Sequence, residues 1–571
     1  NSEIRPIIPP QVVDKRHPFP FLKNKDIYAI THLESKNSVK LGIIPANGSF
    51  PRMIILPDKE RLRFVLAEEV ILRYCNSVFE NYRIIDKALI RITRNADINM
   101  EEALYDHDVD LRQVMEELLK KRKKLSPVRL EIYGCLNNEA EKFLCHNLEL
   151  HEHQISRCKA PLDMSFVFSL RNRIEKAHPE MFYTPVSPQR PAEVIHGAPM
   201  IPQILRRDIL LSYPYESIRP FIALLNEAGN DPDVVSIKIT LYRVASNSKI
   251  VEALINAAEN GKDVFVLVEL RARFDEENNI EWSKRLEKAG CKVMYGPENL
   301  KVHSKLLLIT RKNGSEVQYI TQIGTGNYNE KTSELYTDLS LMTADSDIGA
   351  EAGTVFNALS IGNLVENSSY LLVAPLSLQN KIIELIDREI AAAECGEEAY
   401  IGLKLNSLTD KVLMDKLIEA SCAGVKIEMV IRGISCLVAG VKDKTENITI
   451  RSIVGRYLEH SRIYIFGKGE RRKVYISSAD FMTRNTIRRI EVAAPINSPK
   501  IRSRILHIFD IMLRDNVKAR IQNPDGTYSK VIPAEGEELI NAQEYFIKEA
   551  AENANAAAVR KPIKVKVRRI R

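Results

Sequence analysis

The sequence lacks any apolar run near the ~20 residues that a bilayer-spanning helix needs, and it shows no charged-then-apolar leader. Those two absences predict a cytosolic chain. Its eight cysteines are scattered without one CxxC pair, which argues against a disulfide framework and predicts reduced core thiols. No GxxxxGKS or GxxxxGKT loop occurs, and Gly467-Lys468-Gly469 does not make one. Any nucleotide would therefore be held without a Walker-type cradle. Cys145, His146, His151, His153 and Cys158 contain zinc-ligand types, but their spacing matches no zinc pattern, and they read as a polar helix surface.

What is present is an ordinary globular composition over 571 residues, 45% hydrophobic and 27% charged. That length predicts about three or four domains. The net charge of +7 is modest and fits an anionic ligand of some kind. Five prolines (Pro185, Pro188, Pro191, Pro199 and Pro202) cannot sit inside a helix or a central strand, so a domain boundary is placed there. Before it lies an α+β region, with strands expected at 52–56 and 128–133. An amphipathic helix is expected from Asn99 to Lys124, with Asn99 as its cap and the basic run 120–124 at its negative dipole end. Beyond it, strands and helices alternate as in α/β layers.

An internal repeat then emerges. Strand 234–242, helix 250–259, Gly261 and strand 264–270 recur as strand 400–405, helix 412–420, Gly424 and strand 427–431, about 160 residues later. That period is too long for a solenoid and predicts two similar α/β domains facing each other, joined near 365–375. Each copy continues with a further set of parts. The first has His303-Ser304-Lys305, an apolar strand, Gly324-Thr325-Gly326-Asn327 and, eleven residues after Asn327, Asp338. The second has His460-Ser461-Arg462, an apolar strand, Ser477-Ser478-Ala479-Asp480 and, eleven residues after Asp480, Glu491.

Alternation along a strand turns His303 and Lys305 the same way, as it does His460 and Arg462. An imidazole beside a cation, among small residues and an amide, makes a phosphate cradle. A carboxylate on the far ring nitrogen would fix the tautomer and support developing charge. Within each copy, Asp338 is assigned to His303 and Glu491 to His460. A single such histidine would be read as a satisfied core residue; two with matched partners would not. Arg243, Arg271, Arg273 and Arg432 follow strand ends, where the ligand crevice of an open α/β sheet lies, and their planar forks suit phosphate oxygens.

The paired His-x-Lys/Arg arrangement resembles the phospholipase D superfamily. The runs Ile239-Thr-Leu-Tyr-Arg-Val-Ala245, Glu269 to Glu277, Ile323 to Thr332, Tyr457 to Phe466 and Ser477 to Asn485 resemble the bacterial ATP-dependent polyphosphate kinases more closely. The resemblance implies an α/β multidomain chain. It has an α+β head domain (1–189), two phospholipase D-like α/β domains (190–370 and 371–558) sharing one active-site crevice, and a basic tail (559–571). It implies a kinase, a transferase that moves the terminal phosphate of ATP reversibly to inorganic polyphosphate through a phosphohistidine.

By position, His303 is then the nucleophile and His460 a general acid near the ATP phosphates, with Lys305, Asp338 and Glu491 completing the catalytic set. Tyr336, Arg432 and His460 fall on nucleotide-binding positions. Arg243 and Arg273 fall on the magnesium-phosphate site; arginine cannot ligate a cation, so they would hold phosphate oxygens that in turn bind Mg²⁺. ATP/ADP is substrate. The implied partners are ATP and polyphosphate in a homo-oligomer, dimer or tetramer, with no nucleic acid and no transmembrane segment. The expected location is the cytoplasm, with peripheral attachment at the inner membrane left open. Measured against the family, the sequence starts at the head domain, and the helical N-terminal domain is missing from it. Two alternatives remain: a phospholipase D-type phosphodiesterase or nuclease, and a polyanion-binding protein with inert histidines. Arg462 in place of lysine, together with Arg243 and Arg273, argues against the first.

Overall fold

The structure, a computed structural model, describes residues 4–35, 39–46, 50–58, 61–95, 111–122, 124–272, 275–297 and 299–559. Arg273, the start of the helix expected from Asn99, and the basic tail from Arg560 lie outside the described residues. The chain divides into two compact units, Asn1–Thr184 and Pro185–Arg571.

The first unit is built on a six-stranded sheet. Its central strands Ile27–Leu33 and Ile84–Arg94 pair antiparallel, and the helix Asn138–Leu148 links Pro127–Cys135 to a parallel edge strand, Ile155–Cys158. Asn137 caps that helix by accepting from the Ala140 N–H at 3.0 Å. Ile30, Ala88, Ile90, Leu130 and Leu144, all fully buried, form the core between sheet and helix. The described part of the expected 99–124 helix is Leu111–Arg122.

The second unit carries the duplication. In its first half, Val234–Leu241 pairs parallel with Asp263–Val268 and antiparallel with Leu306–Asn313. In its second half, Tyr400–Leu405 pairs parallel with Lys426–Ile431 and antiparallel with Arg462–Phe466. The crossover helices are Lys249–Glu259 and Lys411–Cys422, capped by the Ser248 and Asp410 side chains. Gly261 and Gly424 follow them at φ 81° and 92°, a left-handed conformation that costs a glycine little. Asp263–Val268 and the first four residues of Leu306–Asn313 are almost wholly apolar because both of their faces are buried. Ile237, Ile239, Val266, Leu308, Leu403 and Ile427 are buried to 1% exposure or less, each contributing about 1.5–3 kcal/mol of burial.

Each half also lends the other a short strand. Leu458–Glu459 of the second half adds in parallel to Tyr336–Thr343 of the first, and Lys301–Val302 of the first pairs in parallel with Arg489–Ile490 of the second. These two exchanges position the site. Among the described residues no helix is long and apolar enough to cross a membrane.

Candidate active site

His303 and His460 are placed by the exchanged strands. The backbone N–H groups of His303 and Ser304 both donate to the Ile490 carbonyl of the other half, at 3.0 and 2.9 Å. Ser461 N–H donates likewise to Thr337 O at 2.7 Å. Each histidine is thereby drawn against the strand end of the opposite half, beside that half's carboxylate.

The ring contacts follow, and they correct the pairing expected within each copy. His303 Nδ1–H donates to Glu491, 2.9 and 3.0 Å from its two oxygens. His460 Nδ1–H donates to Asp338, 2.9 Å from both. The carboxylates are therefore exchanged between halves. The physical reason is the strand exchange itself: pairing Lys301–Val302 with Arg489–Ile490 leaves His303 next to residue 491 and too committed to reach Asp338. The two carboxylates are held alike. Thr325 Oγ1 accepts from Leu339 N–H at 2.9 Å and donates to Asp338 Oδ1 at 2.6 Å. Ser478 Oγ accepts from Val492 N–H at 3.0 Å and donates to Glu491 Oε2 at 2.5 Å.

With Nδ1 committed, each imidazole keeps Nε2 for chemistry. Around them stand the cations. Lys305 Nζ donates to the His303 carbonyl. Arg462 Nη1 lies 3.3 Å from His460 Nε2 and donates to Thr325 O at 3.1 Å, while Nη2 meets Asp480 at 2.9 Å. Arg432 donates to Asn406 Oδ1 at 2.7 Å and to the carbonyl of Glu459, the last residue of the lent strand, just before His460. Tyr336 packs on the His460 ring, centroids 5.2 Å apart, and Tyr242 meets the His303 ring edge-on at 4.7 Å.

Burial, then the Lys305, Arg489 and Arg462 charges, push the His303 imidazole well below its ordinary value, so the ring is neutral and nucleophilic. Burial, opposed by Lys305 and Arg489, pushes the Glu491 carboxyl up to about 7. Burial also brings the Lys305 ammonium down to about 7. Asp338 behaves differently: burial would raise it, but His460, Thr325 and Arg462 together hold it below the usual carboxylate range.

Of the expected site residues, His303, His460, Lys305, Asp338, Glu491, Tyr336 and Arg432 converge. Arg243 pairs with Asp275 at 3.0 Å and is partly exposed. Arg271 is committed to Glu269 at 3.1 Å and, 26 residues on, to the Pro297 carbonyl at 3.0 Å, and is not a free phosphate ligand. Arg489 escaped the sequence reading. It lies 3.8 Å from Glu491 and bears on His303 and Lys305. The available signal was its place two residues before Glu491, as Tyr336 stands two before Asp338.

Three family models match this chain: the polyphosphate kinase middle domain over residues 1–170, C-terminal domain 1 over 199–365 and C-terminal domain 2 over 371–543. The chain belongs to the polyphosphate kinase family. The polyphosphate kinase of Bacillus anthracis is 41% identical over 564 residues, covering 97% of this chain and 80% of that protein. That of Halalkalibacterium halodurans is 42% identical over 560 residues, covering 97% and 79%. The crystal structure of polyphosphate kinase from Porphyromonas gingivalis superposes with a TM-score of 0.84 at 30% identity, over 97% of this chain and 82% of that one. The mixed α/β, multidomain class expected from the sequence is the class observed.

Gly326 gives a direct test of the orienting geometry. A Cβ on it would run into the Asp338 carboxylate. Gly326→Ala should displace that carboxylate from His460 and lower turnover about a hundredfold, with the circular dichroism spectrum unchanged. Steady-state assays of the purified variant check it.

Proposed function

We propose that this site transfers the terminal phosphoryl group of ATP reversibly to inorganic polyphosphate, with His303 as the covalent carrier. The observation that carries the reading is the crossed pair of His–carboxylate contacts, which leaves two Nε2 atoms facing one cluster of cations. In the first step Nε2 of His303 forms a bond to the γ-phosphorus while the bond to the ADP oxygen breaks, and the electron pair leaves on ADP. The proton stays on Nδ1, held by Glu491, which supports the positive charge the ring acquires. In the second step a terminal oxygen of polyphosphate attacks that phosphorus, the P–N bond breaks and Nε2 regains its lone pair. Lys305, Arg462, Arg489 and Arg432 offset phosphate charge, and His460 stands by the oxygen that takes up charge as a bond breaks.

Among the described residues no three His, Cys, Asp or Glu side chains are grouped to hold a metal. The residues near the site are cations and carboxylates already bonded to imidazoles. They do not fit direct coordination; Mg²⁺ fits as a partner of the substrate's own phosphates, the usual way this ion is held. Arg243 would grip such phosphates, and Arg273 has the same role in this reading. Self-association as a dimer or tetramer and residence in the cytoplasm belong to the same reading.

Incubation of the full chain with γ-labelled ATP and Mg²⁺, followed by peptide mapping, tests it. An acid-labile label on the His303 peptide, discharged by added polyphosphate, is expected. No label, or a label elsewhere, overturns the assignment.

The charge states give a pH prediction. In the free enzyme Lys305 is an ammonium below about 7 and loses its charge above it. Glu491 is ionised above about 7 and protonated below it. The two titrate as a coupled pair, so kcat/KM for ATP should be bell-shaped with its maximum near neutrality. Lys305→Arg, which keeps its charge, should abolish the alkaline limb and leave the acid limb in place.

A further inference from the structure

At the end of the second sheet opposite the histidines, a cavity of about 420 Å³ opens between the helix Leu378–Glu394 and the hairpin that joins Arg462–Phe466 to Lys473–Ser477. Its floor is apolar, formed by Leu385, Ala392 and Phe466. Its rim carries three cations, and their circumstances differ. Arg471 is neutralised by Glu389 at 2.8 Å and Glu397 at 2.9 Å. Arg388 and Lys473 also line the cavity but have no carboxylate in ion-pair range among the described residues. They stand close enough that burial and the Arg388 charge together push the Lys473 ammonium down. Two adjacent like charges at the mouth of an apolar recess are mutually repulsive, and neither the fold nor the reaction above uses them. The volume falls within the range of small-molecule sites, and a few convergent polar groups over an apolar floor is their common construction.

We propose that this cavity is a second binding site, separate from the catalytic centre, for a small amphipathic anion. Its apolar body would lie on Leu385, Ala392 and Phe466, and its carboxylate, sulfonate or phosphate would lie between Arg388 and Lys473. Inorganic phosphate lacks the apolar half and binds weakly by comparison. The catalytic centre presents imidazoles and several cations to phosphate groups and has no comparable apolar floor in its described lining, so the two sites differ in ligand class.

The probe is anilinonaphthalene sulfonate, titrated into the full chain and read by fluorescence. One saturable site is expected. The double substitution R388E/K473E should weaken it about tenfold or more, whereas R388K/K473R should keep it within about twofold. Ala391, exposed on the rim, gives an independent variant: Ala391→Trp blocks the mouth without touching the core and should also abolish binding. Cys395 lines the cavity and is exposed, so saturating probe should slow its alkylation severalfold by peptide mapping, while Cys422 and Cys436 react as before. Binding unchanged in R388E/K473E, or an unprotected Cys395, overturns the proposal. Displacement of the probe by inorganic phosphate at equal concentration overturns its amphipathic half.

Discussion

His303→Ala will remove the acid-labile label entirely and lower polyphosphate-dependent turnover by about ten-thousandfold or more, whereas His460→Ala will lower it by about a hundredfold and leave a slowly forming label. The difference follows from what each ring is asked to do. In the proposed reaction His303 must form a bond to phosphorus, and the groups beside it are poor substitutes: the arginines have no lone pair to offer, the Lys305 amine is turned onto the His303 carbonyl, and Glu491 is held by His303 and Ser478. Burial keeps its imidazole neutral, so nucleophilic nitrogen is present well below the ordinary titration of histidine near 6.5. His460 assists a leaving oxygen that is already part of a phosphate and leaves readily. Its loss removes the imidazole placed beside that oxygen, and it also frees Asp338 and Arg462, which the ring holds in contact. Single-turnover labelling separates the two variants. A His303→Ala protein that still labels, or a His460→Ala protein that never does, would reverse the roles.

Much of this site was legible in the sequence because it is written twice. The two strand–helix–strand units, their glycine stops and the eleven-residue step from Asn327 to Asp338 and from Asp480 to Glu491 are local features, and the structure keeps all of them. Which carboxylate meets which imidazole is not local. Periodicity tells the face a side chain points to, but not which half supplies the strand beside it. The pairing of Lys301–Val302 with Arg489–Ile490 involves only two residues on each side, too short to leave a pattern. Arg271 misled for a related reason: an arginine after a strand looks alike whether it faces a ligand or, as here, ties down Glu269 and the Pro297 carbonyl. The hydroxyls of Thr325 and Ser478 stood within the quoted motifs, but their orienting role required seeing each one thirteen residues from its carboxylate and touching it.

The exchange of carboxylates predicts a pattern of coupling that pairing within each half would invert. Glu491→Gln should depress labelling of His303 by about a thousandfold although the two residues belong to different halves, because a neutral amide cannot support the charge on a phosphorylated ring. Asp338→Asn should leave labelling close to that of His460→Ala, since it acts through the same imidazole. Double substitutions make the assignment quantitative. His460→Ala combined with Asp338→Asn should cost little more than either alone, because the second change removes a partner already without its imidazole. His460→Ala combined with Glu491→Gln should multiply the two losses. The polar Ser478 hydroxyl sharpens the test: Ser478→Ala loosens Glu491 without altering charge and should lower the labelling rate about tenfold while leaving the effect of Asp338→Asn undiminished. If instead Asp338→Asn abolishes the label and Glu491→Gln spares it, each carboxylate serves its own half and the crossed geometry is not the one that works.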